Sequence, residues 1–422
     1  MPRPLALLGL GLLVTACGGG SATRGGAGGT TNTGGAASST GGVPGSGGLA
    51  TGGSASGGFA GTGGTSSGGA SGGAPGGGAG VSAGGRSAGG GGASSSGAGG
   101  TAGAAGTGGA STGTWACPNG LTGKPTLTGA VPTRIAGVPP SDAFNMNNGT
   151  YGNIEGPVWI GDALYVSEMN NTPYDTQSPN VVESRILKVT GDGTVSIFVA
   201  DSGSNGMAVD ANGYIVAAVH KDGSLTRFAL PAGTPSTVVG AYMGKRFNTP
   251  NDLTIKRDGN IYFTDPNFQA PTPLPQGVTR VYRRDPSGTV TPLGDNFTNP
   301  NGISLSLNED WLYVAASTGR KYPVMADGSL GAGQDFPPSS GGDGMVIDCA
   351  GNLYVAKAGS SNVAVYAPNG DMIGTITVPR SENLTVTNVA FGGADHQTLY
   401  ITGLQNNKGL FQVRLDIPGK PY

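Results

Sequence analysis

The chain has 422 residues, of which 83 are Gly and only 11% are charged. Nearly all of the charges lie in residues 115–422, where the net charge is −5. This acidic balance argues against a partner that needs a basic surface, such as nucleic acid or an anionic membrane.

The first 16 residues have the layout of a secretory signal peptide. Arg3 precedes the apolar run LALLGLGLLVTA, which is too short to span a bilayer as a stable helix. The run ends in VTAC, which resembles the lipobox of bacterial lipoproteins and implies lipidation of Cys17. Gly18 follows, and in such lipoproteins a residue other than Asp here implies the outer membrane. We therefore expect an exported protein attached to the membrane only by its lipid; an ordinary signal peptide with a chance Cys is the alternative.

Residues 17–114 contain the lipid-attachment Cys and a linker of low complexity. In residues 18–114, 43 of the 97 residues are Gly, and most of the others are Ser, Ala or Thr. Such a composition cannot bury enough apolar surface to offset the loss of chain entropy on folding. The sequence therefore predicts a disordered tether before the folded unit, residues 115–422.

The folded unit contains six copies of one pattern, whose openings are separated by 50, 46, 50, 42 and 45 residues. The copies read EGPVWIGDALYVSE, NGMAVDANGYIVAA, NDLTIKRDGNIYFTD, NGISLSLNEDWLYVAA, DGMVIDCAGNLYVAK and NVAFGGADHQTLYITG. Each has an opening polar residue, an apolar alternation, a turn rich in Gly, Asn or Asp, and a β-rich run. Two weaker strands follow in each period. Four short strands per period without helical spacing predict an all-β fold, a six-bladed β-propeller.

The last copy is incomplete, because only one clear strand follows its second run. A propeller needs a closed ring to avoid an open sheet edge. We expect a strand from about residues 133–138 to complete the last blade.

The polar residue that opens each copy falls at the same place in the predicted ring. The first strand of a blade lies along the central channel, so equivalent positions stand at one level. The predicted ring consists of Glu155, Asn205, Asn251, Asn301, Asp343 and Asn388. One such residue would be explained as a turn former, but six at one place favour a site.

An oxygen ring of this kind suits a cation. Desolvated carboxylates that converge on an axis repel each other unless a positive charge offsets them. Carboxylate and carboxamide oxygens select Ca²⁺ ahead of Mg²⁺. Zn²⁺ is less suited, since it prefers His or Cys and the ring has neither.

Five segments resemble the senescence-marker-protein/gluconolactonase family, also called regucalcin-like: EGPVW, GKRFNTPNDL with IYFTDP, NPNGISLS, GDGMVID and TNVAFGG. The resemblance runs from about residue 150 to the carboxyl terminus. It implies a six-bladed propeller with one divalent metal in its channel and hydrolysis of sugar lactones. Matched by motif, it implies Glu155, Asn301 and Asp343 as metal ligands, with Asn251 binding metal or substrate beside them. Asp343 would also be the general acid/base.

Further polar side chains near the predicted mouth are candidate substrate contacts. Asn205 and Asn388 belong to the ring. His220 ends the second strand of its unit, and a substrate contact and a structural role are equally open. Arg246 lies five residues before Asn251 and is either a ligand for substrate oxygens or a solvated loop charge.

Three acidic residues and two cysteines complete the expectations. Alternation along a strand predicts that Asp252 points away from the ring and binds backbone. Glu168 and Asp265 end second strands and are expected to line the mouth. Cys117 and Cys349 either pair or stay as two buried thiols. Residues 170–184 form an insertion that is either a lid or a surface loop.

The leading interpretation is a monomeric, metal-dependent lactonase that acts on a small sugar lactone. A metal in the channel would polarise the lactone carbonyl, and the neighbouring carboxylate would accept a proton from water. The alternative is a non-catalytic sugar- or protein-binding propeller of the cell envelope with a structural calcium, because propellers host many non-enzymes. Hydrolysis of other activated esters is a third possibility.

Overall fold

The structure, a computed structural model, describes residues 115–138, 151–170, 184–294, 297–404 and 408–421. The signal peptide, Cys17, the linker and most of the insertion (residues 171–183) lie outside the described residues. No helix in the described part of the chain is long and apolar enough to cross a membrane.

The described residues form 24 β-strands and two short 3₁₀ helices, Pro337–Ser339 and Arg380–Glu382. Before the repeats lies β1 (Thr133–Arg134). The first repeat contains β2 (Tyr151–Ile160), β3 (Ala163–Asn170), β4 (Ser184–Thr190) and β5 (Val195–Val199). The second contains β6 (Ser204–Val209), β7 (Ile215–Val219), β8 (Ser224–Ala229) and β9 (Thr234–Val239). The third contains β10 (Leu253–Ile255), β11 (Ile261–Asp265), β12 (Arg280–Arg284) and β13 (Val290–Pro292). The fourth contains β14 (Ile303–Leu305), β15 (Trp311–Val314), β16 (Arg320–Pro323) and β17 (Gln334–Asp335). The fifth contains β18 (Gly342–Ile347), β19 (Leu353–Lys357), β20 (Asn362–Tyr366) and β21 (Met372–Thr377). The sixth contains β22 (Thr385–Gly392), β23 (Thr398–Leu404) and β24 (Gly409–Arg414).

The predicted all-β, propeller-like arrangement is confirmed. Repeats two to five each form a separate four-stranded antiparallel sheet whose strands pair in chain order. The count of separate sheets differs from the six expected, because the first and sixth repeats share one eight-stranded sheet. A pairing between β2 and β23, at Asn153 and Leu404, joins them. Asn153 also pairs with Met169 of β3, and Leu404 also pairs with Thr385 of β22, so the link forms between residues that remain in the sheets of their own repeats.

The first strands of the repeats contact one another in a closed order. β2 touches β6, β6 touches β10, and the series continues through β14, β18 and β22 back to β2. These strands therefore surround one axis.

Hairpin turns inside the repeats follow from Asp and Gly at fixed places. The Asp210 carboxylate accepts the N–H groups of Asn212 at 2.9 Å and Tyr214 at 3.1 Å. Gly213 supplies the left-handed backbone that the turn needs, with φ +73°. Asp348 makes the same pair of bonds in the fifth repeat. The turn sequence D-x-x-G therefore sets the register of the first hairpin in these repeats.

The predicted closure by an amino-terminal strand is confirmed, although the strand is short. β1 pairs with β24, and the Ile135 N–H donates to Leu410 O at 2.8 Å. Cys117 and Cys349 form a disulfide, which settles the open alternative. The segment before β1 is thereby fastened to the fifth repeat.

Aromatic side chains pack between neighbouring repeats. Trp159 stacks on Tyr400 with ring centroids 5.8 Å apart, which joins the first and last repeats. Phe247, Phe263 and Tyr282 form a mutually contacting cluster between the second and third repeats. Burial of each large ring contributes about 2–3 kcal/mol before entropy is counted. The core is thus distributed as layers between sheets and leaves the axis to polar side chains.

Candidate active site

The six predicted ring residues all lie within the first strands or two residues before them. Glu155, Asp343 and Asn388 lie inside β2, β18 and β22. Asn251 and Asn301 come two residues before β10 and β14. The Asn251 N–H donates to Thr264 O in β11, and the Asn301 N–H donates to Ala315 O directly after β15. The register of β2, β6, β18 and β22 shifts at this level, as at β-bulges. A bulge turns a side chain that strict alternation would send elsewhere.

Four of these residues come together in one cluster. The Asn388 Nδ2 donates to Glu155 Oε2 at 3.2 Å, although the two residues are 233 positions apart. The Asn301 side chain hydrogen-bonds to Asp343, and the Asp343 carboxylate feels the charge of Glu155. The structure therefore brings together Glu155, Asn301 and Asp343, three of the four residues that the resemblance grouped.

Asp252 also belongs to this cluster, which corrects the expectation that it points away. Its carboxylate accepts the Leu253 N–H at 2.9 Å and the Ile303 N–H at 3.4 Å, so the backbone-binding part was right. Its charge also acts on both Glu155 and Asp343. The expectation was wrong because it assumed that side chains alternate strictly along the strand.

A pattern of glycines could have revealed the close packing at this level. In four repeats a Gly follows the ring residue: Gly156, Gly206, Gly302 and Gly344. A Cβ on Gly302 would lie 1.9 Å from the Asp343 carbonyl oxygen, and one on Gly344 would lie 1.9 Å from Asn388 Oδ1. Glycine is thus required where neighbouring first strands meet. Asp252 and Val389 stand at this position in the third and sixth repeats, and of the two only Asp252 carries a charge.

The three carboxyl groups of the cluster resist ionisation. Burial, assisted by the charge of Asp252, raises the pKa of Glu155 to about 8. Burial also raises the pKa of Asp252 to about 7. The pKa of Asp343 is well above its usual range because of burial and the charges of Glu155 and Asp252, while a hydrogen bond from Asn301 acts in the opposite direction. Three ionised carboxylates here need a compensating positive charge.

The donor chemistry of the cluster fits a hard divalent cation. The Asn301 Oδ1 is buried and has no hydrogen-bond partner, so an acceptor oxygen is left open beside Asp343. Across the described ranges, no three His, Cys, Asp or Glu side chains form a metal-holding group by themselves. A cation would therefore have to combine the carboxylates with carboxamide oxygens, which suits Ca²⁺ or Mg²⁺ and does not suit Zn²⁺.

His220 reaches the ring through another residue. Its side chain is 1% exposed, and its Nε2 lies 2.8 Å from Asn205 Nδ2. Burial and the nearby Arg246 lower the pKa of His220 to about 3, so the imidazole of His220 is neutral. The neutral Nε2 can accept from the amide, which fixes the orientation of Asn205.

Arg246 is tied to backbone. Its guanidinium donates to the carbonyl oxygens of His220 at 2.9 Å and Phe247 at 3.2 Å. It therefore braces the loop that leads to Asn251, and the solvated-charge alternative does not describe it.

Glu168 and Asp265 do not line the mouth, because both are 0% exposed. Glu168 is ion-paired with Arg185 and with Lys408, whose Nζ lies 2.8 Å from Glu168 Oε1. Asp265 accepts the N–H groups of Asn248 at 3.0 Å and Thr249 at 2.8 Å. Asp265 thus shapes the loop before Asn251.

Beyond the ring, the axis opens into a cavity of about 700 Å³. At ring level it is lined by Gly156, Asp252 and Asn388. It continues along the first strands to the hairpin turns at Asp210 and Arg257, which we call the far end. The channel therefore has two chemically different ends, and the oxygen ring occupies one of them.

Comparison with known proteins identifies the family. Residues 154–405 match the family described as SMP-30/Gluconolactonase/LRE-like region. The gluconolactonase of Zymomonas mobilis is 31% identical over 277 residues, which cover 60% of this chain and 76% of the relative. A pentonolactonase of Haloferax volcanii is 28% identical over 260 residues, which cover 59% of this chain and 80% of that protein.

A solved structure agrees with the sequence relatives. The structure of a gluconolactonase from Xanthomonas campestris is 27% identical and superposes with a TM-score of 0.52, covering 71% of this chain and 100% of that chain. The family match extends over more than half of the residues, and the clustered side chains fall inside it. The chain belongs to the SMP-30/gluconolactonase/LRE-like family.

Proposed function

We propose that the protein hydrolyses sugar lactones at the ring of oxygen-bearing side chains. The observation that carries the proposal is the meeting of Glu155, Asn301 and Asp343 in one cluster at the axis. The chain is a lactonase by class, as are the relatives whose activity their names describe. The particular lactone is set by side chains around the mouth.

Glu155, Asn301 and Asp343 are the proposed ligands of one divalent cation, with Asn251 beside them. Calcium is the favoured ion, since the donors are hard oxygens and the Asn301 Oδ1 has no other partner. When bound, the cation supplies Lewis-acid polarisation of the lactone carbonyl and a counter-charge for the oxyanion.

Asp343 is the proposed general acid/base. One of its carboxylate oxygens accepts a proton from the attacking water as the new C–O bond forms at the carbonyl carbon. The ring C–O bond then breaks, and the same carboxyl returns the proton to the departing ring oxygen. A cation held beside Asp343 would favour its ionised form, which is the form that accepts the proton from water.

The carboxamides of Asn205, Asn251 and Asn388 are the proposed contacts for sugar hydroxyls. His220 orients Asn205 from behind, and Arg246 holds the preceding loop through its backbone bonds. These two residues act on the substrate site through their neighbours.

We further propose that the fold is a six-bladed propeller in which the eight-stranded sheet counts as two hydrogen-bonded blades. The closed order of six first strands supports this count. The protein is proposed to be a monomer, exported and anchored through Cys17 to the outer membrane after a linker.

The test is turnover of δ-gluconolactone by the purified protein, before and after chelation and after return of Ca²⁺, Mg²⁺ or Zn²⁺. Asp343→Asn should abolish hydrolysis with an unchanged circular dichroism spectrum, and Glu155→Gln should first weaken the metal affinity measured by calorimetry. Asp371→Asn, on an exposed hairpin, is the matched control and should keep full activity. If turnover is absent while calcium still raises the melting temperature, the protein is a binding module and the proposal is wrong.

A further inference from the structure

The far end of the channel carries a second concentration of charge, opposite in sign to the ring. Five basic side chains line the cavity there: Arg227, Lys256, Arg257, Arg284 and Lys420. The domain as a whole is acidic, so this cluster is not a general property of the surface.

Several of these cations are already compensated. Arg227 Nε lies 2.7 Å from Asp210 Oδ2, and Lys256 Nζ lies 2.6 Å from Asp258 Oδ2. Their charges are therefore largely satisfied within the protein.

The charges of the other three basic side chains are compensated much less by acidic groups. Arg257 Nε and Lys420 Nζ both lie 3.6 Å from Glu309 Oε1, so two cations divide one carboxylate. Burial lowers the pKa of Lys420 to about 8, which agrees with incomplete compensation. None of the ion pairs in the described part of the chain includes Arg284, and the Arg284 Nε is buried without a hydrogen-bond partner. A guanidinium stays charged, and a buried donor without a partner is costly.

Between this end and the ring, apolar side chains form part of the walls. Met207, Leu253, Ile303 and Met345 line the cavity immediately beyond the ring residues of their strands. A volume of about 700 Å³ lies in the range of small-molecule pockets, which are mainly apolar with a few converging polar groups. A channel of this volume admits a small molecule and is too small for a folded partner.

We propose that the far end of the channel binds an amphipathic organic anion, a carboxylate with a hydrocarbon body. The carboxylate pairs with Arg284, since a guanidinium binds a carboxylate through two parallel N–H groups. Lys420 adds a second positive charge, and the hydrocarbon body lies along the apolar walls toward the ring. This site is separate from the proposed catalytic ring and does not depend on lactone hydrolysis.

Calorimetry with octanoate, octanol and inorganic phosphate tests the assignment on the intact protein. Octanoate should bind at one saturable site, and octanol and phosphate should each bind at least tenfold more weakly, because each lacks half of the recognised chemistry. Arg284→Gln should weaken octanoate binding at least tenfold. Arg283→Gln is the matched control, because Arg283 lies next to Arg284 on β12 but points to the other face of the strand. There its Nε donates to Asn260 Oδ1 at 2.6 Å.

A second variant makes the result independent of the arginine. Val209→Trp should fill the apolar part of the channel and abolish octanoate binding. The proposal is overturned if octanoate shows no saturable binding, if octanol binds as tightly as octanoate, or if Arg284→Gln binds octanoate as the wild type does. Lactonase turnover by Arg284→Gln should stay within about twofold of the wild type.

Discussion

Gly302→Ala tests the close approach of neighbouring first strands at the ring. The added Cβ would lie 1.9 Å from the Asp343 carbonyl oxygen, 2.7 Å from its carbonyl carbon and 2.9 Å from Gly344 Cα. All three atoms belong to the backbone, so no side-chain rotation can relieve the contact. Ordinary van der Waals contact begins at 3.4 Å, and the two strands must therefore separate by about 1.5 Å.

The size of the effect follows from two opposing terms. Overpacking of a tight interior costs about 1–3 kcal/mol, and a rigid backbone contact belongs at the upper end. Replacing Gly by Ala also reduces the entropy of the unfolded chain, which stabilises by about 0.4–1 kcal/mol. We expect a net loss of about 2 kcal/mol in the free energy of unfolding. The strand shift should also separate Asn301 from Asp343 and lower kcat/KM.

Urea unfolding followed by tryptophan fluorescence measures the first quantity, and turnover of δ-gluconolactone measures the second. Gly191→Ala is the matched control, because a Cβ there meets nothing within 4 Å and the backbone is not left-handed. The control should equal the wild type or exceed it slightly. A Gly302→Ala protein within about 0.5 kcal/mol of the wild type would refute the packing described for the ring.

Three further predictions concern burial and cross-linking. Burial raises the pKa of Asp265 from 3.8 to about 7, so the folded state binds this proton more tightly and stability falls as pH rises through that window. Compared with Asp265→Asn, the wild type should lose at most about 1.4 kcal/mol of unfolding free energy for each pH unit in this window. Parallel curves of unfolding free energy against pH for the two proteins would contradict this. Reduction of the Cys117–Cys349 disulfide, which spans 232 positions, should lower the melting temperature. The corresponding loss in the free energy of unfolding has an upper limit of about 5 kcal/mol. An unchanged melting temperature in reductant would argue against a constraining role. Lys408→Met should destabilise by about 3 kcal/mol, because it removes one partner of the buried Glu168, and adding Glu168→Gln should recover part of the loss in urea unfolding.

The repeat pattern predicted much of the fold. The opening residues, the hairpin turns and the closing strand all follow from local sequence, since each unit is one antiparallel meander. The merger of the first and last repeats was not predictable. It depends on the pairing of Asn153 with Leu404, and nothing in either local pattern specifies a partner 251 positions away.

The candidate site was predictable in part. Spacing placed Glu155 and Asp343 at equivalent positions, and the structure brings them into one cluster. The roles of these residues stay predictions. Asp252 was misjudged because bulges at the ring break the alternation of strands, and bulges leave little trace in sequence. Glu168 was misjudged because its burial depends on partners such as Lys408, which is distant in the chain.

The disulfide has a practical consequence for attaching the protein to other objects. Trp115 stacks on His396 with ring centroids 4.6 Å apart and lines the cavity away from the ring. Cys117, two residues after Trp115, is bonded to Cys349, so the entry of the chain into the fold is fixed at that face. A bead or sensor surface coupled ahead of residue 115 should thus hold the molecule with its oxygen ring turned toward the bulk solution.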